Sequence, residues 1–147
     1  MNITAALAAV GSLLASQAPL EALIRWDLDM RAMGWAQTAQ APGTVMFARR
    51  AADAGSFRRI WARYEYLDHR SSRYGRYRSE TQLHEVDCGQ SRNRILQTFH
   101  YAEQNLSGPV TDSASSAWPK WTHAQPDTFS AALVRVVCGA PQTEPGA

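Results

Sequence analysis

The most regular pattern along the chain is a strict alternation of side chains between residues 57 and 67. One set of alternate positions is apolar or aromatic: Ile60, Ala62, Tyr64 and Tyr66. The intervening positions are charged or amphipathic: Arg59, Trp61, Arg63 and Glu65. Because successive side chains of a β-strand point to opposite faces of its sheet, this pattern predicts a strand with one face turned towards a core.

Shorter strand-like segments surround this one, and turn residues such as Gly, Pro and Asp separate them. The predicted strands are residues 35–40, 44–49, 57–67, 77–88 and 91–102. The predicted connections are turns at residues 41–43 and 52–55, a polar loop over residues 69–76, and a long loop over residues 104–126. Because consecutive strands joined by short turns pair antiparallel, we expect an antiparallel sheet of about five or six strands.

The last two predicted strands give the most specific hairpin signal, because only residues 89–90, Gly and Gln, separate them. A two-residue loop that begins with Gly suits a type II′ turn. If the chain turns at these two residues, opposite charges lie across from each other on one face of the hairpin: Asp87 with Arg92 and Glu85 with Arg94. We expect these pairs to be exposed and to set the register of the two strands. The other face then carries mostly apolar side chains: His84, Val86, Cys88, Ile95, Phe99 and Tyr101.

A helical pattern lies near the end of the chain. Asp127 or Thr128 is a suitable N-cap for a helix over residues 129–138. Its apolar stripe has helical spacing: Phe129, Ser130, Leu133, Val134, Val137 and Cys138. Gly139 ends the helix, and Pro141 prevents its continuation. Together the elements predict an α+β fold, in which an antiparallel sheet carries a C-terminal helix packed on one face.

Residues 2–20 carry no charge and contain a small-x-small site at residues 16–18. This pattern fits a signal or export segment over residues 1–18, cleaved after Ala18. No Lys or Arg precedes the apolar run, and three alternatives stay open: an uncleaved membrane anchor, a wrongly assigned start codon and an Ala-rich helix of the fold. The remaining predicted divisions are a short helix or linker (residues 19–33), one domain (residues 34–139) and a disordered tail (residues 140–147).

Composition narrows the class of protein. The 147 residues suffice for one domain, and 45% hydrophobic against 19% charged residues is a globular balance. Two cysteines exclude zinc ribbons and disulfide-dense toxins. The formal net charge is only +2, but residues 49–94 hold eleven Arg against six Asp or Glu, a local charge of +5. The ratio of fourteen Arg to one Lys is typical of a GC-rich genome, whereas the clustering needs another explanation.

The cluster supplies a candidate surface for a polyanion or another ligand: Arg59, Trp61, Arg63, Arg70, Arg73, Tyr74, Arg76 and Arg78. The arginines interleaved with tyrosines in residues 69–78 are typical of nucleic-acid-binding segments, and the same chemistry suits heparan-like glycans or lipopolysaccharide phosphates. An ordinary solvated loop is the alternative for this segment. Trp61 is either a stacking platform for a base or sugar, or an aromatic side chain that shields the sheet beneath stacked arginines.

The sequence offers little support for a catalytic or metal site. Glu85 and Asp87 would lie ~7 Å apart on one strand face, but an arginine opposite each carboxylate would keep both ionised. His84 and Cys88 have the spacing of a ligand pair, yet on a strand they stand ~13 Å apart and cannot share one metal ion. No nucleophile elbow, P-loop or HExxH motif occurs in the sequence. We therefore expect no enzyme activity, no metal and no cofactor.

Several strand and turn motifs recur in a recognisable order between residues 35 and 138. They are Trp35, Gly43-Thr44-Val45, residues 58–66, Tyr77-Arg78-Ser79, Glu85-Val86-Asp87-Cys88, Arg94-Ile95-Leu96, Tyr101, Ser107-Gly108, Trp118, Pro126-Asp127-Thr128 and Val136-Val137-Cys138. This ordered set, which extends over about 105 of the 147 positions, resembles the bacterial surface-adhesin protein E family. The sequence departs from that family in lacking an N-terminal Cys for lipidation and in carrying residues 19–33.

The resemblance implies a small exported domain whose C-terminal helix is tied to a concave sheet face by a disulfide. The residues alone leave Cys88 and Cys138 open as free thiols, metal ligands or a disulfide, and the resemblance implies the Cys88–Cys138 bridge. That bridge requires the helix to lie on the sheet face of Val86, as the apolar stripe of the helix also requires.

The resemblance also bears on function. It implies a non-enzymatic protein of the periplasm or outer-membrane surface, or a secreted one, which binds host matrix or serum glycoproteins and, in some members, haem. The sequence leaves a homo-oligomer open. The alternative function is an intracellular basic module that binds nucleic acid or another polyanion through residues 59–94.

Overall fold

The computed structural model of this chain describes residues 28–139. The expected export segment (residues 1–18), most of the expected helix or linker (residues 19–33) and the expected disordered tail (residues 140–147) lie outside the described residues. In chain order, the elements are α1 (Leu28–Ala32), β1 (Ala36–Ala41), β2 (Thr44–Arg50), β3 (Arg58–Ser72), β4 (Gly75–Asp87), β5 (Arg92–Tyr101), β6 (Val110–Ser115), β7 (Thr122–His123) and α2 (Phe129–Cys138).

Strands β1 to β6 lie side by side in chain order, and each pairs antiparallel with its neighbours. The short strand β7 pairs with the first residues of β5, whereas β6 pairs with its last residues. Helix α2 contacts β1, β2, β3 and β5. The predicted α+β fold, an antiparallel sheet with a C-terminal helix packed on it, is therefore confirmed, with seven strands in the described part of the chain.

Helix α2 has the predicted bounds and buries the predicted stripe. The Thr128 hydroxyl caps its first turn by accepting a hydrogen bond from the Ala131 amide. Gly139 ends it with a φ of 82°, a left-handed value that favours glycine. The core between helix and sheet consists of Leu133, Val134 and Val137 from α2 and of Met46, Ala48, Ile60, Ala62, Tyr64, Tyr66 and Val86 from the sheet. Because full burial of one large apolar side chain contributes roughly 1.5–3 kcal/mol, this layer holds α2 on the sheet.

A disulfide joins Cys88, the first residue after β4, to Cys138, the last residue of α2. Their Cα atoms are 5.5 Å apart, within the span that a disulfide bridges. Close by, the Arg58 guanidinium donates a 2.8 Å hydrogen bond to the Val137 carbonyl, where a cation also complements the helix dipole. The bridge implied by the family resemblance is confirmed, and it fixes the end of α2 beside the β4–β5 turn.

The opposite face of the sheet carries a smaller apolar cluster beside α1: Met30, Trp35, Val45 and Phe47. Trp61 packs against the margin of this cluster. On the same face, Arg63 and Glu65 form a buried ion pair, in which Arg63 Nε lies 2.7 Å from Glu65 Oε1. The centre of β3 is therefore covered on both sides, and the charged positions of its alternating pattern do not all face solvent.

Residues 69–76 form a β-hairpin, so the predicted polar loop was wrong. Strand β3 runs to Ser72 and β4 starts at Gly75, which leaves only Arg73 and Tyr74 in the turn. The Ser72 hydroxyl stabilises the turn, because it donates to the Gly75 carbonyl and accepts from the Tyr74 amide. Backbone pairing and a serine-stabilised turn need no apolar side chains, so a polar composition did not indicate the strands.

The predicted loop over residues 104–126 contains two strands. Strand β6 pairs with one end of β5 and β7 pairs with the other. All residues of β6 are exposed or half-buried, so the segment lacks the apolar alternation that marks a strand with a buried face. The prediction of a continuous loop was wrong for this reason.

The hairpin between β4 and β5 has the predicted register but a different turn. Both predicted cross-strand pairs are present: Asp87 with Arg92 and Glu85 with Arg94. The turn spans residues 88–91, and its left-handed residue is Ser91, with a φ of 48°, rather than Gly89. The predicted two-residue type II′ turn was wrong, because a four-residue turn produces the same register.

A β-bulge in β5 changes which side chains share a face. Two successive pairs define it: His84 with Ile95 and Leu83 with Gln97. Leu96 is the extra residue, and beyond it the alternation is inverted. Phe99 and Tyr101 consequently line a cavity with Trp61 on the α1 side of the sheet. Their predicted place on the face of His84 was wrong, because alternation alone does not reveal a bulge.

Candidate functional site

Two regions of the fold hold most of the arginines of residues 49–94. At the start of β3, the Glu85 carboxylate accepts hydrogen bonds from two arginines on neighbouring strands. Arg59 Nη2 lies 3.0 Å from Oε2, and Arg94 Nε lies 2.9 Å from Oε1. We call this region, which comprises residues 58–59, 85–94 and 138, the anchored end.

The Glu85 side chain is only 5% exposed. Burial opposes its ionisation, but the hydrogen bonds and charges of Arg94 and Arg59 outweigh that effect and lower the pKa of Glu85 below its ordinary value. The carboxylate therefore stays charged at neutral pH and holds both guanidinium groups. This burial corrects the sequence-based interpretation of Glu85–Arg94 as an exposed pair.

Other contacts at the anchored end engage its remaining cations. Arg92 Nε lies 2.9 Å from Asp87 Oδ2. The Trp121 ring packs against both Arg92 and Arg94, whose guanidinium carbons lie 4.6 and 4.4 Å from the ring centroid. These cation–π contacts tie the β4–β5 hairpin to the loop that follows β6. The arginines of the anchored end thus have internal partners.

Three members of the predicted surface, Arg59, Trp61 and Arg63, lie along β3 apart from the other five. Glu85 holds Arg59, as described above. Arg63 has 7% of its side chain exposed, and its Nη1 lies 3.3 Å from the sulfur of Met30 in α1. A polymer cannot reach Arg63 in this fold.

Trp61 lies in a cavity of about 280 Å³ on the α1 side of the sheet. Trp35, Phe99 and Tyr101 also line this aromatic groove. The Arg49 guanidinium packs over Trp35, 4.8 Å from the ring centroid. Because Trp61 also packs against the apolar cluster of the same face, it shields the sheet as well as lining the groove.

The other predicted residues meet at the far end of the β3–β4 hairpin, which we call the hairpin tip (residues 69–78). This segment contains no Asp or Glu. Arg70, Arg73 and Arg76 are exposed, and Tyr74 is 67% exposed. None of these three arginines forms an ion pair with a carboxylate of residues 28–139.

Ring contacts and one backbone contact position the cations of the hairpin tip. The Arg70 guanidinium lies 4.9 Å from the Tyr66 ring centroid, and that of Arg73 lies 5.5 Å from the Tyr74 ring centroid. Arg78 is half-buried and donates to a main-chain carbonyl of β3. The hairpin tip therefore presents three cations and an exposed aromatic ring without a counter-charge among the described residues, an arrangement that attracts anions.

A chain of buried and half-buried polar side chains on the α2 side of the sheet was not predicted from the sequence. At the first turn of α2, Ser130 donates to Asn93 (3.0 Å). With His84 in its Nε2–H tautomer, Asn93 donates to Nδ1 (3.2 Å) and Nε2 donates to Gln82 (2.9 Å). Burial lowers the pKa of His84 to about 4, so the imidazole is neutral at pH 7.

This series of hydrogen-bonded side chains continues to a buried carboxylate, that of Glu80. Gln82 donates to this carboxylate (3.3 Å), as does the Tyr66 hydroxyl (2.6 Å), and His100 Nε2 lies 2.9 Å from it. Positions 80, 82 and 84 are polar at alternate places of a core-facing strand, and this run of polar residues is the signal that could have revealed the chain. Within residues 28–139, no group of three or more His, Cys, Asp or Glu is arranged to hold a metal ion.

The described elements define a small α+β domain, with a disulfide at one end of its sheet and an uncompensated cationic hairpin at the other. The chain belongs to the surface-adhesin protein E family, because the model of that family, Surface-adhesin protein E, matches residues 35–139. The resemblance drawn from the sequence motifs is thereby confirmed. Membership implies a surface adhesin, which is a non-enzymatic protein that binds extracellular host molecules from an exported or surface location.

No curated protein and no solved structure matches the chain significantly. In the part of the chain that the structure describes, no helix combines the length and the apolar character needed to cross a bilayer.

Proposed function

We propose that this surface adhesin uses its hairpin tip to bind an anionic glycan carried by host matrix or serum glycoproteins. The observation that carries the proposal is the exposure of Arg70, Arg73 and Arg76 in a segment that contains no acidic residue. The sulfate and carboxylate groups of such glycans match the bidentate geometry of a guanidinium. Tyr74, exposed beside Arg73, adds a flat surface on which a sugar ring can pack.

The proposed binding is electrostatic and depends on several contacts at once. Exposed charges are screened over about 8 Å at physiological ionic strength, so each arginine acts on the nearest anionic group of the polymer. A polymer with closely spaced charges contacts several arginines together and binds more tightly than its single units. The affinity therefore falls as salt rises, and each arginine removed lowers the log–log salt slope by roughly one unit.

We infer further that the protein functions outside the cytoplasm, in the periplasm, at the outer-membrane surface or after secretion. The Cys88–Cys138 disulfide supports this location, because disulfides persist in oxidising compartments. Cell fractionation with mass spectrometry of the mature chain tests it. A mature chain that starts after Ala18 in a non-cytoplasmic fraction is expected, whereas an intact N-terminus in the soluble cytoplasmic fraction would contradict both export and adhesion.

Haem is not part of the proposal, because no histidine and no free thiol of the described residues lines the aromatic groove. Haem iron takes its axial ligands from His, Cys, Met or Tyr side chains. Both ring nitrogens of His84 are hydrogen-bonded, and those of His100 lie beside Glu80 and Asp112. The two cysteines are joined in the disulfide. His69 and His123 are exposed, and neither lines the aromatic groove.

Binding to immobilised heparin, measured over a range of salt concentrations, tests the function of the hairpin tip. Arg73→Ala and Arg76→Ala are expected to elute at lower salt than the wild type, and the double variant at lower salt still. Arg135→Ala is the matched control, because Arg135 is equally cationic and exposed but lies on α2. Equal elution of all variants would contradict the proposal. Tighter binding to single-stranded DNA than to heparin at equal salt would support the nucleic-acid alternative instead.

A further inference from the structure

A cleft of about 520 Å³ opens on the α2 side of the sheet. Its lining comes mainly from β5, from the segment between β6 and β7, and from the first turn of α2. No residue of the hairpin tip or of the aromatic groove lines it. The volume falls within the range of small-molecule sites and is large enough for one or two sugar rings.

The floor of the cleft is pre-organised by hydrogen bonds within the protein. His84, Asn93 and Ser130 line it, and they belong to the buried polar chain described above. Because these groups already have partners, they hold the floor in one arrangement and need no ligand to satisfy them. A rigid floor lowers the entropic cost of binding a ligand.

Other polar side chains around the cleft have no such partners. Thr98 and Thr122 form no side-chain hydrogen bond within the described residues. Lys120, the only lysine of the chain, also lines the cleft and forms no ion pair with a described carboxylate. The lining contains no Asp or Glu. The cleft thus combines neutral hydroxyl groups with one cation that has no counter-charge among the described residues.

One exposed apolar side chain lines the cleft, and an exposed tryptophan is next to the lining in sequence. Ile95 lines the cleft and is 41% exposed. Trp118 is 91% exposed and directly precedes Pro119 and Lys120, both of which line the cleft. Apolar and aromatic surfaces beside neutral polar groups are suited to a sugar ring, which has apolar faces and a hydroxyl edge.

We propose that this cleft binds a saccharide unit that carries a carboxylate, such as a sialic acid or a uronic acid residue. The Lys120 ammonium pairs with the carboxylate, and the hydroxyl groups of Thr98 and Thr122 bind the sugar hydroxyls. A purely aliphatic ligand would leave those polar groups desolvated and unpaired, which costs free energy. The site goes beyond the function proposed for the hairpin tip, because it uses other residues and recognises a single sugar rather than a run of charges.

Saturation-transfer NMR and calorimetry with the folded, oxidised protein test the site. The probes are 3′-sialyllactose and a glucuronic-acid-terminated disaccharide, which distinguish the two sources of the carboxylate, with lactose as the neutral control. We expect at least one acidic sugar to bind at least tenfold more tightly than lactose. Lys120→Gln is expected to remove that preference, and Trp118→Ala to weaken binding of the acidic sugar.

Two controls separate this site from the hairpin tip. Lys120 is exposed, so an unchanged melting temperature of Lys120→Gln shows that the variant is folded. Arg73→Ala/Arg76→Ala is expected to bind the acidic sugar like the wild type, even if it no longer binds heparin. The proposal is overturned if no acidic sugar binds, if lactose binds equally well, or if Lys120→Gln keeps the wild-type preference.

Discussion

The anchored end and the hairpin tip lie at opposite ends of the β3–β4 strand pair, the anchored end also including the start of β5, and both are rich in arginine. In the anchored end, Arg59 and Arg94 share a buried carboxylate, that of Glu85. In the hairpin tip, Arg73 and Arg76 have no described carboxylate within ion-pair distance. The difference lies in the residue that the neighbouring strand places opposite the arginine. Where that residue is a carboxylate, the arginine has a structural role and is not free to bind a ligand. Local net charge in a sequence therefore does not by itself locate a binding surface.

The two regions are also expected to differ in how much they contribute to stability. Interactions at the anchored end are partly or fully withdrawn from water, where charges and hydrogen bonds affect stability strongly. Those at the hairpin tip are exposed, where a charged side chain usually changes stability by less than 0.5 kcal/mol. Substitutions at the anchored end should therefore change the free energy of unfolding, and substitutions at the tip should change ligand affinity.

The largest effect is expected from removal of the disulfide. Cys88 and Cys138 are 50 residues apart in sequence, and a loop of that size constrains the unfolded chain by on the order of 4 kcal/mol in chain-entropy models. We expect Cys88→Ser/Cys138→Ser to lower the melting temperature of the oxidised protein sharply. Calorimetry with and without reductant measures this. An oxidised wild type that melts no higher than the double variant would show that the anchored end is not held by its disulfide.

The second effect concerns pH and His84, which neighbours the anchored end. The unfolded imidazole takes up a proton near pH 6.5, whereas the folded one does so only near pH 4. The neutral His84 therefore contributes its full share of the free energy of unfolding above pH 6.5. That contribution is lost as the pH falls, by roughly 3 kcal/mol at pH 4. Its hydrogen-bonding partners, Gln82 and Asn93, are neutral and cannot compensate an imidazolium.

Denaturant unfolding between pH 7 and pH 4 measures this pH dependence. We expect His84→Gln to be less stable than the wild type at pH 7, because the variant side chain cannot reproduce both imidazole hydrogen bonds. The variant should, however, lose less stability on acidification. Parallel pH profiles for the two proteins would contradict a neutral, buried His84.

A third, smaller effect is expected at Glu85. Glu85→Gln leaves Arg59 and Arg94 without their carboxylate, and we expect a loss of about 2 kcal/mol at pH 7. This is less than for a fully buried pair, because the two arginine side chains are 33% and 26% exposed. Glu103→Gln, at an exposed carboxylate, is the matched control and should be nearly neutral.

The contribution of Glu85 to stability depends on pH in a more acidic range than that of His84. Folding lowers the pKa of this carboxyl, so its contribution is present above the unfolded pKa, about 4.3, and is lost as the pH falls below it. The stability difference between wild type and Glu85→Gln should therefore shrink only in that acidic range. A difference that already disappears near pH 6 would contradict the double pairing.

Much of the anchored end could be predicted from the sequence, because its cross-strand pairs follow from one short turn. The register of Glu85 with Arg94 depends only on the residues between them in the chain. The pairing of Arg59 with Glu85 was not predictable, because the β3–β4 register shifts irregularly between Glu65 and Arg70. The type of turn was the least reliable part of the prediction, because a two-residue turn and a four-residue turn give the same register.

The cleft could be predicted less well than the fold. The bulge at Leu96 places residues on either side of it on different faces, and alternation does not show where a strand gains a residue. Lys120 lies in a segment without strand or helix periodicity, so nothing in the local pattern relates it to β5. A site that depends on a β-bulge or on the path of a loop can be located only once the fold is known.

The smallest effect on stability is expected at the hairpin tip, and it is the decisive contrast with the anchored end. Arg73→Ala/Arg76→Ala removes two exposed cations that have no described carboxylate partner, so the free energy of unfolding should change by no more than about 0.5 kcal/mol. The same variant should lose affinity for heparin, because the two cations contribute to binding only when an external anion is present. Denaturant unfolding and heparin binding, measured on the same preparation, check both halves. A variant that loses stability like Glu85→Gln would mean that the tip arginines are structural, and the distinction between the two ends of the hairpin would be wrong.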